Sequence, residues 1–418
     1  MKRLLATLVL ISASLLPLRA AGPSEFIYVE SNIQSANGNS IFAFQRGSDG
    51  SFTQVPGSPF LSGGTGVQDR TFLFGPYDSD NNLVIDKGRQ LLFAVNSGSD
   101  TIAVFNIKHD GSLKAIAGSP FPSGGSNPTS LAISGDILYV VNKNGDFIVQ
   151  TGLQPNYTAM KINVDGSLTP VPNSTANVSY DSSPSQALVV PGTDIVFGND
   201  FRGGLIENFK ADPEGRLRAQ APTALPPNRD IPLLNVFGTV LRLGNLPLGL
   251  ALHPKQPLLY VGFVGANLLG VYSYDTNGQL SFVTVSHNSG LAICWLRSNR
   301  AGTRLYTSNN GVEGIAATDP FSTVSVYDLS NPAAPNEIQN LQLAGMGNAS
   351  QIELSNDERF VYLVGQRATT FIPEGQGNAL HIFTVRPDGT LSEDHAPIQL
   401  AVPVGTQPQG IAVFSPQN

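Results

Sequence analysis

Five histidines, His109, His253, His287, His381 and His395, are the side chains of this sequence that can serve as a base near neutral pH. An imidazole can take a proton from water, and an arginine or a backbone N–H can hold the oxyanion that results. Partners of the right type are spread along the chain: Asp69-Arg70, Asp78, Asp80, Asp200, Arg202, Arg229-Asp230, Glu313 and Arg367. No HExxH, Cys/His cluster or EF-hand loop occurs. DSDNN, residues 78–82, alternates Asp like the start of a calcium loop, but it lacks that loop's Gly and downstream Glu and reads as a polar turn. SGGTG and SGGSNP have no following Lys-Ser/Thr, so they do not read as phosphate loops. The sequence therefore implies no metal and no cofactor. The single cysteine, Cys294 in LAICWL, can form no internal disulfide and has the apolar neighbours of a buried, inert thiol.

What must position these side chains is a repeated strand unit. From Leu91 to Phe121 the chain runs LLFAVNSGSDTIAVFNIKHDGSLKAIAGSPF, three short apolar stretches separated by turn residues. The middle stretch recurs seven times, beginning at Ile41, Thr101, Tyr157, Leu205, Leu268, Thr323 and Ala379. Its period-two alternation marks a strand with one buried face. Six of the seven are followed by an acidic or amide residue and Gly: Asp49-Gly50, Asp110-Gly111, Asp165-Gly166, Glu214-Gly215, Asn277-Gly278 and Asp388-Gly389. Such pairs close tight hairpins. The sixth copy has Asn331-Pro332-Ala333-Ala334-Pro335 instead. An apolar strand ending near Asn precedes each copy, and a shorter apolar strand precedes that one.

Seven four-stranded units, roughly 48 to 63 residues apart, predict an all-β, seven-bladed β-propeller with antiparallel blades. The first unit lacks its first strand and the chain ends with one, Gln409–Phe414, so the N- and C-terminal segments are expected to complete one blade together. A β-solenoid or two sandwiches would not explain the permuted start. The long insertions 61–81, 143–156, 221–245, 310–321 and 366–378 all fall on connections at one end of the ring, the mouth of its channel. Loops on a rigid scaffold are where function concentrates. This scheme puts His287 near the mouth as the base, with Arg202, Arg229 or Arg367 as anion partner and Asp200 and Glu313 as neighbouring acids. The same residues also fit a plain role in tying long loops together.

The composition narrows the classes. A formal net charge of −7 without a basic run argues against nucleic acid as a partner. Residues 1–20, MKRLLATLVLISASLLPLRA, read as a signal peptide, with the propeller over 21–418. The expectation is a secreted or periplasmic monomer with no membrane insertion after cleavage.

The blade pattern, LYV-x-N followed by an apolar-aromatic strand and Asp-Gly-x-Leu, resembles the seven-bladed propeller lactonase family. That family includes 6-phosphogluconolactonase and the carboxy-muconate lactonising enzymes. The resemblance covers essentially the whole chain after residue 20. It implies a carboxylic ester hydrolase that opens a lactone without a cofactor, on a sugar-derived or related small molecule. The family's Gly-Pro-Arg-His run has its nearest counterpart in NLPLGLALHP. Pro247 matches the family Pro, and His253-Pro254 matches a following turn. Leu248 and Gly249 stand where the family carries Arg and His, so no catalytic role passes to them, or to His253. Two further readings follow: a non-catalytic binding or scaffold propeller, and a cycloisomerase of a dicarboxylate, which would need converging arginines.

Overall fold

The computed structural model describes residues 23–68, 79–143, 145, 152–226, 234–236, 239–241, 246–311, 322–345, 347–367, 373 and 375–416. Residues 1–22, and with them the expected signal peptide, lie outside that set. Among the described residues, seven antiparallel sheets carry the strand order of propeller blades, beside one short hairpin pairing Leu234–Val236 with Thr239–Leu241. The inner strands, in chain order of the blades, are Gln409–Phe414 (blade 1), Leu83–Asp86 (blade 2), Pro128–Ser134 (blade 3), Pro184–Val189 (blade 4), Pro247–Leu252 (blade 5), Ile293–Ser298 (blade 6) and Asn348–Leu354 (blade 7). Each packs beside the next, and the last beside the first, so the ring closes. Closure uses both ends of the chain: Pro23–Glu30 pairs on one side with Ser40–Gly47 and on the other with Gln409–Phe414.

The core lies between blades rather than in one place. Seven apolar clusters fill the seven blade-to-blade contacts; Phe26, Tyr28, Leu92 and Phe105, for example, meet between blades 1 and 2. The period-two pattern makes this possible, because alternate residues of each second and third strand face opposite neighbours. Burying each such side chain contributes roughly 1.5–3 kcal/mol.

The recurring Asp-Gly turn joins blades as well as closing hairpins. The Tyr28 hydroxyl of blade 1 donates to Gly111 O of blade 2 (3.0 Å), and Tyr306 of blade 6 donates to Gly389 O of blade 7 (3.1 Å). Tyr260 makes the same bond to Pro332 O, in the one turn that departs from the pattern. The Asn residues that end the second strands bridge to the third strand: Asn96 to Thr101, Asn142 to Asn156 and Asn309 to Thr323. Their recurrence is thus structural.

Candidate functional site

The segment Ser79–Asn82, part of the DSDNN turn, crosses the channel and plugs it. Asp80 N–H donates to Ser185 O of blade 4 (3.1 Å), and Leu131 N–H of blade 3 donates to Asn81 O (2.9 Å). Asn82 Nδ2 donates to Thr129 O, while Gln351 Nε2 of blade 7 reaches Ser79 O and Asn82 Oδ1. Gln409 of blade 1 donates to Ser79 Oγ. Arg297 of blade 6 grips the plug: Nη1 and Nη2 take the two Asp80 oxygens at 2.6 and 3.1 Å, Nη2 also takes Asn81 Oδ1, and Nε takes Glu353 Oε2 at 3.0 Å. Nη1 has a further acceptor in Leu296 O. All five guanidinium N–H groups are therefore occupied. Two flanking carboxylates hold the guanidinium more firmly protonated than usual, against the opposing effect of burial. This arginine anchors the plug and has no donor left for an oxyanion.

Arg297 and Glu353 had a detectable sequence signature. Each inner strand has one residue opposite the central aromatic of its second strand: Val84, Ala132, Leu188, Ala251, Arg297, Glu353 and Ala412. Charge at two neighbouring positions of an otherwise small or apolar ring stands out once the inner strands are aligned.

Of the candidate catalytic residues, the structure describes His287, Asp200, Arg202 and Arg367. His287 ends the outer strand Leu280–His287 of blade 5, with a 78% exposed side chain whose Nδ1 is 3.8 Å from Glu337 Oε2. The expected position at the channel mouth is therefore corrected to the outer edge of the ring. Where blades 1 and 2 have a three-residue outer strand followed by a separate two-residue one, blade 5 has a single eight-residue outer strand that carries this histidine outward. Asp200 is buried at the end of a second strand, and its Oδ1 caps Ser183 N–H (2.7 Å) and Gly203 N–H (2.9 Å). Arg202 is exposed in the turn that follows. Arg367 leaves the second strand of blade 7, its N–H on Asn378 and its carbonyl on Gln407. Arg202 and Arg367 thus follow the second strands of blades 4 and 7 respectively. Arg229, Glu313, Asp69, Arg70, Asp78 and Asp230 lie outside the described residues.

The family histidine has no room at position 249. Gly249 has φ +56°, and a Cβ there would lie 2.0 Å from Cys294 O of blade 6. Leu248 is buried in the cluster between blades 6 and 7. His253 is a structural residue: its Nδ1 accepts Lys255 and Gln256 N–H, and Nε2 meets Gly302 O. His381 is buried against Glu393 at 2.6 Å. Cys294 is buried, as its neighbours predict.

Blades 3 and 4 carry several further buried ionisable groups. Lys143, the buried residue that leaves the second strand of blade 3, has Nζ 3.5 Å from Ser185 Oγ, beside the plug. Asp200 and the adjoining Glu207 come from the second and third strands of blade 4. Burial, reinforced by Asp200, raises Glu207 to about 7. Tyr157 of blade 3 packs near both acids, and burial followed by their charge drives its hydroxyl well above the normal range. Ser182 Oγ and Ser183 Oγ, just before the inner strand of blade 4, are buried with no hydrogen-bond partner among the described residues. A carboxyl that exchanges its proton near pH 7, a buried ammonium and unspent polar atoms are the components of proton-transfer chemistry. Asp200 was legible as a candidate. Glu207 was not, because it sits in a regular strand pattern, and Lys143 was read only as the first residue of the insertion 143–156.

Among the described residues, no group of three or more His, Cys, Asp or Glu side chains could hold a metal ion, and no helix is long and apolar enough to cross a membrane. No protein-family model and no curated protein matches the chain. Solved structures do. A proposed 6-phosphogluconolactonase from Bacteroides uniformis superposes with TM-score 0.66 at 15% identity, over 92% of this chain and 99% of that one. The periplasmic gluconolactonase PpgL of Pseudomonas aeruginosa gives 0.64 at 14%, over 94% and 99%. A hypothetical selenium-binding protein from Sulfolobus tokodaii gives 0.61 at 12%, over 94% of both chains. At such identities the likeness is one of architecture: the chain has the seven-bladed propeller fold found in the lactonase-type structures.

Proposed function

We propose that this chain is an exported hydrolase of a sugar-derived or related lactone, working at the channel mouth between blades 3 and 4. The observation that carries the reading is Glu207, held at about 7 by burial and by Asp200. As a base it takes a proton from water, whose oxygen attacks the lactone carbonyl carbon. The Lys143 ammonium offsets the charge on the tetrahedral oxyanion, and Glu207 returns the proton to the ring oxygen as the C–O bond breaks. The fold shared with a periplasmic gluconolactonase supports the substrate class and the compartment as a proposal.

A panel of aldonic and simple γ- and δ-lactones, followed by acid release in a pH-stat, tests it. Glu207→Gln should lower kcat on the best lactone by about 10²- to 10⁴-fold. It should also abolish the rise in kcat/KM through pH 7. His287→Ala should leave the rate unchanged. Full activity in Glu207→Gln would remove this residue from the mechanism, and no turnover of any lactone would overturn the hydrolase reading.

A second reading, a non-catalytic binding propeller, is favoured by one observation: the arginine at the centre of the channel is fully spent on the plug. The cycloisomerase reading needs converging arginines, and its candidates Arg202 and Arg367 follow second strands of blades 4 and 7.

A further inference from the structure

The plug divides the channel. On its other side, away from the mouth, a cavity of about 350 Å³ opens toward the turns that follow the inner strands. This is a volume suited to a small organic molecule. Its walls mix polar atoms with the apolar side chains of Val84, Ala132, Leu188, Val189 and Ala412, and Asn81 and Glu353 mark the end nearest the plug. Asp80 and Glu353 share the single guanidinium of Arg297, so the ionised cluster carries one net negative charge. Asp80 is enclosed, whereas the Glu353 side chain is 29% exposed and lines the cavity. Its Oε2 receives Arg297 Nε and its Oε1 receives Leu354 N–H. A carboxylate oxygen has two lone-pair directions, so both oxygens keep capacity for a donor from the cavity. The cation also present, Lys87, lies at the cavity's outer rim with Nζ on Asn356 Oδ1 at 2.6 Å.

We propose that this cavity is a binding site for a small organic cation, an amine on a short apolar body, with the ammonium on Glu353 and the body along Val84, Ala132, Leu188 and Ala412. An ammonium answers the Glu353 carboxylate, and an alkyl chain answers the row of apolar side chains beside it. A bare metal ion would gain the first and find too few oxygen ligands along the second. The site lies on the other side of the plug from the proposed hydrolytic residues and does not depend on that reading.

Titration calorimetry with n-pentylamine, 1-pentanol and pentanoate, matched in length, tests it on the mature chain at pH 7. The amine should bind at least ten-fold more tightly than the alcohol, and pentanoate more weakly than either. Ala132→Trp fills the cavity from one wall and should abolish amine binding while any lactone turnover at the mouth persists. Glu353→Gln should remove the preference for amine over alcohol. Equal binding of amine and alcohol, no binding of the amine, or amine binding that survives in folded Ala132→Trp would each overturn the proposal. Because Glu353 also supports Arg297, Ala132→Trp keeps the test decisive if Glu353→Gln folds poorly.

Discussion

The carboxyl of Glu30 shows how one buried group couples the ring to pH. It ends the second strand of blade 1 and is buried against blade 2, where Oε1 accepts Asn39 Nδ2 at 2.6 Å. Its Oε2 has no partner among the described residues. Burial raises it to about 8, with the Asn39 bond acting the other way. In the unfolded chain it ionises near 4.5. Above that pH the unfolded state loses its proton while the folded state keeps it, so folding stability falls as pH rises. The window runs from about 4.5 to about 8, with Glu207 adding a similar term up to about 7. Glu30→Gln, which resembles the neutral acid, should flatten this decline and raise the melting temperature at pH 8 relative to the parent. Denaturation scans from pH 5 to 9 would read it, and an unchanged slope would show that Glu30 is already ionised in the fold. Such residues were hidden in the sequence. Glu30 sits in YVESN like any strand-end polar residue, and only the closed ring shows that blade 2 covers it. His287 was misread for the converse reason: sequence position placed it beside a connection, but an extended outer strand carried it to solvent.

At the scale of the element, the blade was legible because its rules are local. Alternation fixes which face is buried, and Asp-Gly fixes the hairpin. The structure adds a reason for the glycine itself. Gly111 has φ +80°, and a Cβ there would lie 2.3 Å from the Phe26 ring of the preceding blade. The turn must be left-handed and must also lie flat against its neighbour so that Tyr28 can reach its carbonyl. Gly111→Ala should therefore cost more than the roughly 1 kcal/mol of an unfavourable φ alone, with overpacking adding about 1–3 kcal/mol. Gly135→Ala makes the control, since φ is +60° there and a Cβ would meet nothing within 4 Å. A larger loss of chemical-denaturation stability at 111 than at 135 is the expected outcome; equal losses would mean the blade contact is immaterial. The outer edges were less legible. In blades 1 and 2 the edge strand is broken, and a serine hydroxyl inside the break accepts a third-strand N–H: Ser58 for Ala43 and Ser119 for Val104. Blades 5 and 6 replace the break with a single bulged residue, Val283 and Ile338 respectively. Either device interrupts a flat edge that would otherwise invite pairing with another chain.

For the whole molecule, the ring is as strong as its seam. Sequence phase alone predicted that the two chain ends share a blade, because seven equal units with a permuted start leave no other closure. It could not show what locks that blade to its neighbour across a sequence separation of 311 residues. The lock is Arg46, fully buried on the third strand of blade 1. Its Nε takes Glu25 at 2.8 Å, its Nη2 takes Asp357 of blade 7 at 2.8 Å, and its plane lies 4.9 Å from the Phe360 ring. The Tyr362 hydroxyl of blade 7 closes on the same Glu25 carboxylate. Burial opposes ionisation of Asp357, yet hydrogen bonds from Ser355, Arg359 and Arg46 hold it well below the usual carboxylate range. Removing the guanidinium would strand Glu25, which is wholly buried, without its cation. Breaking a buried pair in this way typically costs about 3–5 kcal/mol, whereas replacing both partners together costs far less. Arg46→Ala should thus lower stability by about that amount, and Glu25→Gln with Arg46→Met should recover most of it. The loss should appear first at the seam, as faster amide exchange in Phe26–Glu30 and Gln409–Phe414 before the central blades. Uniform exchange across all blades in Arg46→Ala would show instead that the ring opens as one unit, with no weak point where the two chain ends meet.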